Sequence, residues 1–284
     1  MTTPADGPAS VGAGPTGAGV AGAGAGVPVG LITGAARGIG AATAHRLAAA
    51  GWRLVLVDRC ADDPALDYAL ATRADLDAVA RATGAVAVVA DVRDQDALDA
   101  AVATALDRFG GLDGAIAVAG CVSGGRPAWE TGDAAWSTML DVNVTGVWRL
   151  AKAAVPAMLE RPRPRQGRFV AVSSSGGTIG LPLLAAYSAA KHAVVGLVRS
   201  MAAELGPHGI TVNAVAPGST ATHMLEASAA VYGLATVEEF ATHHQLGRLV
   251  EPHEVAALIA WICGPDSSAI TGAVLPVDAG MTAS

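Results

Sequence analysis

The segment VGLITGAARGIGAA, residues 29–42, decides the fold. The apolar run 29–33 leads straight into a glycine-rich turn, and small helix-forming residues follow from about Ala41. A strand, turn and helix of this kind let the backbone approach a pyrophosphate, whose negative charge is met by the N-terminus of the helix. The segment therefore predicts a dinucleotide site. Its predicted contacts are Gly34, Arg37, Gly38, Ile39 and Gly40.

Short apolar runs and longer segments with helical periodicity alternate along the rest of the chain. Continuously apolar strands that alternate with helices are typical of a parallel sheet covered on both faces. We predict one doubly wound (Rossmann) α/β domain over residues 28–284, with a mostly parallel seven-stranded sheet and helices on both faces. The predicted strands are 29–33, 53–57, 85–90, 114–120, 167–173, 210–216 and 273–278, and the clearest helical segments are 96–109, 134–159, 187–205 and 252–263.

Composition excludes several classes of function. With 52% hydrophobic residues and a formal net charge of −7, the chain has material for a large core but no basic surface for nucleic acid. No apolar run reaches the roughly 18–20 residues needed to cross a bilayer, and the N-terminus lacks the pattern of a secretory signal. We therefore expect a cytoplasmic protein that binds neither nucleic acid nor membrane. Residues 1–27, rich in Gly, Ala and Pro, are predicted to form a disordered tail.

Cysteine and histidine spacing predicts no metal site. Cys60, Cys121 and Cys263 are odd in number and have no C-x-x-C spacing, as expected of reduced thiols. His243 and His244 are adjacent and have no H-x-x-x-H partner.

The second predicted strand is followed by Asp58, eighteen residues beyond Gly40. A carboxylate at this point accepts hydrogen bonds from the adenosine ribose and repels a 2′-phosphate, which favours NAD over NADP. Arg37 and Arg59 argue the other way, because either could meet a 2′-phosphate. Asp91 has two readings: it reaches the adenine, or it caps the helix that begins near Asp94.

Four residues predict chemistry on a substrate hydroxyl. Tyr187 and Lys191, four apart on a predicted helix, share one face of it. A nearby ammonium and an oxidised nicotinamide lower the pKa of a phenol, so the phenolate can take the proton of a substrate hydroxyl while hydride leaves the carbon. Ser174 follows a predicted strand and is placed to hold the substrate oxygen. Asn143 is placed to order a water that relays the proton past Lys191.

These residues resemble the short-chain dehydrogenase/reductase family from residue 28 to the C-terminus. The resemblance rests on T-G-x-x-x-G-I-G at 33–40, the four residues just described and NAVAPGSTAT at 213–222. It implies a substrate lid at about 219–247 and a homotetramer built by helices matching 134–159 and 187–205. It also implies a set of cofactor contacts, namely Val92, Ala119, Gly120, Asn143, Tyr187, Lys191, Pro217, Gly218, Thr220 and Thr222, with Pro217, Gly218 and Thr222 bordering the nicotinamide. Where the family usually has N-A-G, this chain has Val118-Ala119-Gly120, which puts local hydrogen bonding in question rather than catalysis.

The loop after Asp58 is longer than an ordinary family member needs. Thr72 with Asp75 predicts the start of the next helix, which leaves about 59–71 as an insertion. One interpretation is a surface loop without a function, since loops lengthen at little thermodynamic cost. The other is a flap over bound NAD next to the adenosine. The alternation of Leu66, Tyr68 and Leu70 favours the flap, because such large side chains need a surface to cover. The insertion, VDRC and YALATRADLDAV are similar to the mycofactocin-coupled branch of the family. That branch implies tightly held NAD, with mycofactocin as the external electron carrier.

We therefore expect an NAD-dependent oxidoreductase that interconverts a secondary alcohol and its carbonyl compound. The apolar lid predicts a fairly apolar substrate. Trp129 and Trp136 either line the substrate pocket or pack against a neighbouring subunit, and packing against a subunit is the favoured interpretation for both. Two alternatives remain open: an ordinary NADPH-dependent 3-oxoacyl reductase with exchangeable cofactor, and an NAD-binding redox sensor without catalysis.

Overall fold

The computed structural model describes residues 26–283, and the predicted tail lies almost wholly outside them. Seven parallel strands form one sheet in the order β3-β2-β1-β4-β5-β6-β7. The strands are β1 Val29–Thr33, β2 Arg53–Asp58, β3 Val86–Val89, β4 Gly114–Ala117, β5 Gly167–Val172, β6 Ile210–Pro217 and β7 Val274–Val277. The helices are α1 Gly38–Ala49, α2 Arg73–Thr83, α3 Gln95–Phe109, α4 Asp133–Leu140, α5 Gly146–Leu159, α6 Ala185–Leu205, α7 His223–Tyr232 and α8 Pro252–Cys263. The predicted doubly wound α/β fold is confirmed.

Both faces of the sheet are covered by helices, which explains the unbroken apolar runs of the strands. One core lies where α3, α5 and α6 meet the sheet, and includes Leu98, Leu150 and Val198. The other core lies under α1, α2 and α8, and includes Leu47 and Ile259. Within residues 26–283 no helix is both long enough and apolar enough to cross a membrane.

The strand order reverses between β1 and β4, so that the chain winds outward in both directions from these two strands. Ligands in such sheets bind at the carboxyl ends of the strands beside this reversal. The glycine-rich turn follows β1, and the segment Val118–Gly120 follows β4. The fold thus brings the two segments together across the opening in which the sequence predicts a dinucleotide.

Several predicted boundaries move by a few residues, and one predicted helix is interrupted. The helix after β1 begins at Gly38 rather than near Ala41. The predicted segment 134–159 is divided into α4 and α5 by one wider π-turn, Asp141–Thr145. The interpretation that Asp91 caps the helix α3 is wrong. The cap is Asp94, whose side chain accepts a hydrogen bond from the main-chain N–H of Ala97. Thr72 and Asp75 form the predicted reciprocal cap of α2.

Asn213 joins the last strand to the sheet. Its side chain is fully buried on β6, donates to the carbonyl of Ile270 at 2.8 Å and accepts from the N–H of Ala273 at 3.1 Å. The segment that leads into β7 is therefore held by a side chain as well as by the strand ladder. This fixes the position of β7, whose far end adjoins the cavity described next.

Candidate active site

A cavity of about 850 Å³ opens at the carboxyl ends of the strands. Every predicted cofactor-binding and catalytic residue except Asn143 lines it. The cavity is also lined by residues that the sequence did not single out, which are mostly apolar and lie on the lid and before α6; they include Leu181, Leu183, Leu184, Met224, Leu225 and Phe240. Trp129 is 84% exposed and, like Trp136, does not line the cavity.

The glycines of the β1–α1 turn are required by close backbone contacts. A Cβ on Gly40 would lie 1.9 Å from the carbonyl oxygen of Gly34, and a Cβ on Gly34 would lie 2.6 Å from the nitrogen of Ala119. Gly34 and Gly38 also adopt positive φ, 67° and 57°, which only glycine adopts without strain. The N-terminus of α1 is therefore open to an anion.

Asp58 is held by the glycine-rich turn between β1 and α1, which we call the phosphate turn. Its carboxylate accepts a hydrogen bond from the N–H of Ala36 at 3.0 Å, and it lines the cavity beside that turn. The two arginines that could attract a 2′-phosphate already have partners. Arg37 donates to the carbonyl of Ala69 at 2.8 Å, and Arg59 is paired with Asp63 and Asp91. Both contacts favour a nucleotide without a 2′-phosphate.

Asp91 belongs to a four-residue network of two carboxylates and two guanidinium groups. Arg93 Nη2 lies 2.7 Å from Asp91 and 2.9 Å from Asp63. Burial alone would raise the pKa of the Asp91 carboxyl, but hydrogen bonds from Arg93 and the charge of Arg59 hold it below its usual range. Asp63 lies in the insertion and is 5% exposed, and Asp91 follows β3. Because Arg93 binds both carboxylates, the network connects the insertion to the end of β3.

Tyr187 and Lys191 are both buried on the first turns of α6. Lys191 donates to the carbonyl of Val172 at 3.0 Å, and its Nζ lies 5.7 Å from the centre of the Tyr187 ring. Burial lowers the pKa of the Lys191 ammonium to about 8. Burial also raises the pKa of Tyr187, and the neighbouring Ser174 hydroxyl opposes this increase. Lys191 alone thus does not give the lowered phenol pKa expected from the sequence.

Ser174 is oriented by the turn that follows β5. Its oxygen accepts a hydrogen bond from the N–H of Gly176 at 3.1 Å. The hydroxyl proton then remains to donate, which is the direction needed to hold a substrate oxygen or a phenolate.

Asn143 lies inside the π-turn and is completely buried. Its amide donates to the carbonyls of Cys121 and Met139, at 3.1 and 3.0 Å, and accepts from the N–H of Cys121 at 3.2 Å. The side chain therefore holds the loop after β4. A relay water is left only the second lone pair of the side-chain oxygen or the main-chain carbonyl of Asn143.

The departure from N-A-G at Val118 is met by another hydrogen bond. Thr33, at the end of β1, accepts from the N–H of Ala119 at 3.3 Å. The segment after β4 is thus braced on one side by Thr33 and on the other by Asn143. The segment after β4 is therefore hydrogen-bonded at Ala119 and Cys121 although Val118 stands where the family usually has asparagine.

His244 is a residue that sequence reasoning missed. It is 4% exposed, and its Nε2 accepts a hydrogen bond from the N–H of Ser219 at 3.1 Å. An imidazole that accepts at Nε2 is neutral and carries its proton on Nδ1, which has no partner among the described residues. His244 thereby positions the segment Pro217–Thr220, which lines the cavity. The only signal in the sequence was a histidine inside an apolar lid.

The predicted lid has two short helical parts. They are α7 and a 3₁₀ segment, Val237–His243, which meet through Tyr232 and Phe240 with ring centres 5.9 Å apart. Thr222 precedes α7 and lies against Gly38 of the phosphate turn, since a Cβ on that glycine would be 3.2 Å from the Thr222 methyl group. The segment predicted as a lid therefore begins against the glycine-rich turn, and its residues Met224, Leu225 and Phe240 line the cavity. Among residues 26–283, no group of three or more His, Cys, Asp or Glu side chains could hold a metal ion.

Comparison with known proteins agrees with this geometry. Residues 34–282 match the family described as enoyl-(acyl carrier protein) reductase. The (-)-trans-carveol dehydrogenase of Rhodococcus erythropolis is 38% identical over 271 residues, which span 89% of this chain and 97% of that protein. The short-chain reductase protein NovJ of Streptomyces niveus is 39% identical over 256 residues, 89% of this chain and 93% of that protein.

A solved structure is similarly close. The crystal structure of carveol dehydrogenase from Mycobacterium avium in complex with NAD matches with a TM-score of 0.86 and 35% identity, covering 90% of this chain and 98% of that one. The chain belongs to the short-chain dehydrogenase/reductase family, and it is an oxidoreductase.

Proposed function

We propose that the protein is an NAD-dependent dehydrogenase that interconverts a secondary alcohol and its ketone. The observation that carries this is the convergence of Ser174, Tyr187 and Lys191 on one cavity that also contains the phosphate turn and Asp58. NAD, when bound, supplies the hydride acceptor. The chain's own residues bind the alcohol, orient it and remove its proton.

The proposed steps follow from the hydrogen-bond directions. Ser174 donates its hydroxyl proton to the substrate oxygen, and the N–H of Gly176, which its own oxygen accepts, orients the hydroxyl for this. Tyr187, as phenolate, takes the hydroxyl proton while hydride leaves the carbon, and Lys191 stabilises the phenolate through its positive charge. Burial opposes ionisation of Tyr187 in the protein alone, so the positive charge of oxidised nicotinamide is expected to complete the lowering of its pKa.

The substrate is expected to be fairly apolar. Leu183, Leu184, Met224 and Phe240 line the cavity, and Leu184 lies in the same apolar cluster as Tyr187. An apolar pocket with a few oriented polar groups is the usual form of a small-molecule site.

NAD is proposed to be held without exchange beneath the insertion 59–71 and to be reoxidised by mycofactocin. The insertion lines the cavity through Asp63, Leu66 and Tyr68. It is fixed at several points: Arg37 binds Ala69, Arg93 binds Asp63, and Thr72 caps α2. Such a fixed wall favours a retained cofactor over one that leaves in every cycle.

The first experiment is to desalt the purified protein exhaustively, denature it and measure NAD(H) in the supernatant. We expect about one nucleotide per chain, and turnover of secondary alcohols only with an artificial electron acceptor. In a second assay, oxidised mycofactocin should then replace the artificial electron acceptor. An empty protein that turns over with added NAD would overturn the retained-cofactor part and leave an ordinary dehydrogenase.

The same assay separates the two alternatives. A marked preference for added NADPH would favour a 3-oxoacyl reductase, which the paired states of Arg37 and Arg59 disfavour. Retained NAD without turnover of any alcohol or ketone would favour a redox sensor.

Tyr187→Phe tests the proposed base directly. This change should reduce turnover by at least two orders of magnitude, because general acid–base catalysis commonly contributes about 10²–10⁴-fold, while NAD content stays unchanged. Tyr232→Phe is the matched control, since that phenol donates to the carbonyl of Pro182 at 2.7 Å on the lid side of the cavity. Substantial activity in Tyr187→Phe would exclude the mechanism.

A further inference from the structure

The insertion crosses the cavity from the cofactor side to the catalytic side. Near its two ends, Ala71 belongs to the core under α1, α2 and α8, and Cys60 packs against that core. In its middle, Leu66 belongs to a different cluster, and Tyr68 and Leu70 pack against that cluster. We call it the catalytic-side cluster; it consists of Leu66, Cys121, Val122, Met139, Leu184, Ala186 and Tyr187. The insertion therefore extends from the adenosine side, where the sequence predicted it, to residues packed around Tyr187.

Tyr68 is joined to the catalytic side by a specific bond. Its phenol oxygen accepts the N–H of Val122 at 3.0 Å, across 54 residues of sequence. Val122 follows the loop that Asn143 holds, and Tyr68 lines the same cavity as Tyr187. The ring of Tyr68 therefore forms part of the wall beside the proposed substrate position.

The proton of the Tyr68 phenol is uncommitted. A phenol has one proton to donate, and the bond from Val122 uses only acceptor capacity. No acceptor for this proton is found among the described residues, whereas the other lid-side phenol, Tyr232, donates to Pro182. Burial raises the pKa of Tyr68, so it remains a protonated donor and does not compete with Tyr187 as a base.

We propose that Tyr68 is a specificity residue, whose phenol donates a hydrogen bond to a second oxygen of the substrate, away from the carbon that is oxidised. The proposal rests on the proposed function, since it assumes a substrate alcohol held by Ser174 and Tyr187. The preferred substrates would be cyclic or branched alcohols that carry an additional ether, hydroxyl or carbonyl oxygen. Because Leu181, Leu184 and Met224 line the same cavity, such a donor favours a substrate with the additional oxygen over its hydrocarbon analogue.

The test uses pairs of alcohols that differ only in an acceptor. Methoxycyclohexanols and ethylcyclohexanols, substituted at ring position 2, 3 or 4, have nearly the same size and one reacting hydroxyl each. Turnover is measured with both added NAD and an artificial acceptor present, and binding of each alcohol is measured by fluorescence. Wild-type protein should favour the methoxy compound at one ring position by about five- to tenfold, which corresponds to one net hydrogen bond.

Tyr68→Phe should reduce this ratio to about one while the ethyl compound is bound as before. Tyr232→Phe is the matched control: it removes a phenol whose proton is committed, so the ratio should remain. A wild-type ratio near one at all three positions would overturn the proposal. Equal weakening of both compounds in Tyr68→Phe, with loss of retained NAD, would also overturn it, because Tyr68 would then only brace the insertion.

Binding separates this proposal from the proposed function. If no alcohol is turned over but the methoxy preference is present in binding and lost in Tyr68→Phe, the proposed reaction fails and the role of Tyr68 stands. If alcohols are turned over without any methoxy preference, the proposed function stands and the role of Tyr68 fails.

Discussion

Lys191 is buried at a position that disfavours the protonated, charged form of its side chain. It is 4% exposed, and the only hydrogen bond that the structure gives its ammonium, within residues 26–283, is to the carbonyl of Val172. Burial lowers its pKa from 10.5 to about 8. Catalytic groups often occupy sites that destabilise one of their charge states. Its protonated form therefore reduces the stability of the folded protein.

Lys191→Met should raise stability while it abolishes turnover. Between pH 8 and 10.5 the unfolded chain binds a proton that folded Lys191 does not, so the free energy of unfolding rises with pH across this window. The cofactor-free variant should lose this slope. At pH 7 its Tm should be higher by several degrees, since 1 kcal/mol corresponds to roughly 2–4 °C in a domain of about this size. Thermal unfolding at pH 7, 8, 9 and 10 measures both effects, and a lower Tm at pH 7 would contradict the prediction.

His244 should make the segment Pro217–Thr220 sensitive to acid. Burial lowers the pKa of its imidazole, Asp278 opposes this, and His243 and Arg248 add to it. A protonated His244 cannot accept the N–H of Ser219. Stability from this group is therefore present above pH 6.5 and is lost as the pH falls towards the lowered folded value.

His244→Gln should flatten this acid dependence, because its amide oxygen can accept the same N–H and does not titrate. The measurement is unfolding free energy and NAD release between pH 5 and 7. His208→Gln, at an exposed histidine far from the cavity, is the control and should leave the wild-type profile unchanged. An identical profile in His244→Gln would exclude the role given to His244.

At the scale of elements, the strands were predictable and the interruptions were not. Burial on both faces produces continuous apolar runs, so the predicted strands agree with the observed ones within three residues at either end. Asn143, inside the π-turn, bonds Cys121, which is 22 residues away in the sequence. Similarly, the phenol of Tyr68 accepts a hydrogen bond from Val122, which is 54 residues away in the sequence. Periodicity and local motifs carry no information about such distant partners.

The β1–α1 turn allows a sharp test at Gly40. Gly40→Ala should prevent NAD binding, because the added Cβ would lie 1.9 Å from the Gly34 oxygen and the turn would have to move. Gly206→Ala is the matched control: it has right-handed φ and ψ at the end of α6 and no atom within 4 Å of the added Cβ. It should be neutral or slightly stabilising. Calorimetric titration with NAD after unfolding and refolding measures both variants, and unchanged affinity in Gly40→Ala would contradict the geometry.

The anchors of the insertion can be weakened one at a time. Arg37→Gln removes the bond to Ala69 and should accelerate NAD loss on desalting by about tenfold or less, as expected for one hydrogen bond to a charged donor. Arg73→Gln, which removes only the exposed pair with Asp77 just beyond the insertion, is the control. Equal NAD retention in the two variants would exclude Arg37 as an anchor.

At the scale of the whole molecule, two exposed tryptophans lie on the consecutive helices α4 and α5. Trp136 on α4 and Trp148 on α5 are 42% and 47% exposed, and Lys152 lies over the Trp148 ring at 5.5 Å. Exposed large apolar side chains of this kind are typical of protein–protein contacts. They lie in the segment 134–159 that the family resemblance assigns to a tetramer, which stays a prediction.

Trp148→Glu should shift the protein from tetramer to smaller species, because a carboxylate would be buried in the contact. Light scattering coupled to size exclusion measures the mass. Leu106→Glu, at a 40% exposed position on α3 outside that segment, should leave the mass unchanged. A wild-type monomer, or an intact tetramer in Trp148→Glu, would contradict this interface.

Both asparagines of the chain, Asn143 and Asn213, are completely buried and hydrogen-bonded on both sides of their amides. Asparagine is one of the residues through which proteins age chemically, and deamidation needs a mobile backbone and water. The folded protein should therefore acquire no acidic charge variants from asparagine during storage. If such variants appear on an isoelectric gel, they would record how often the molecule had opened.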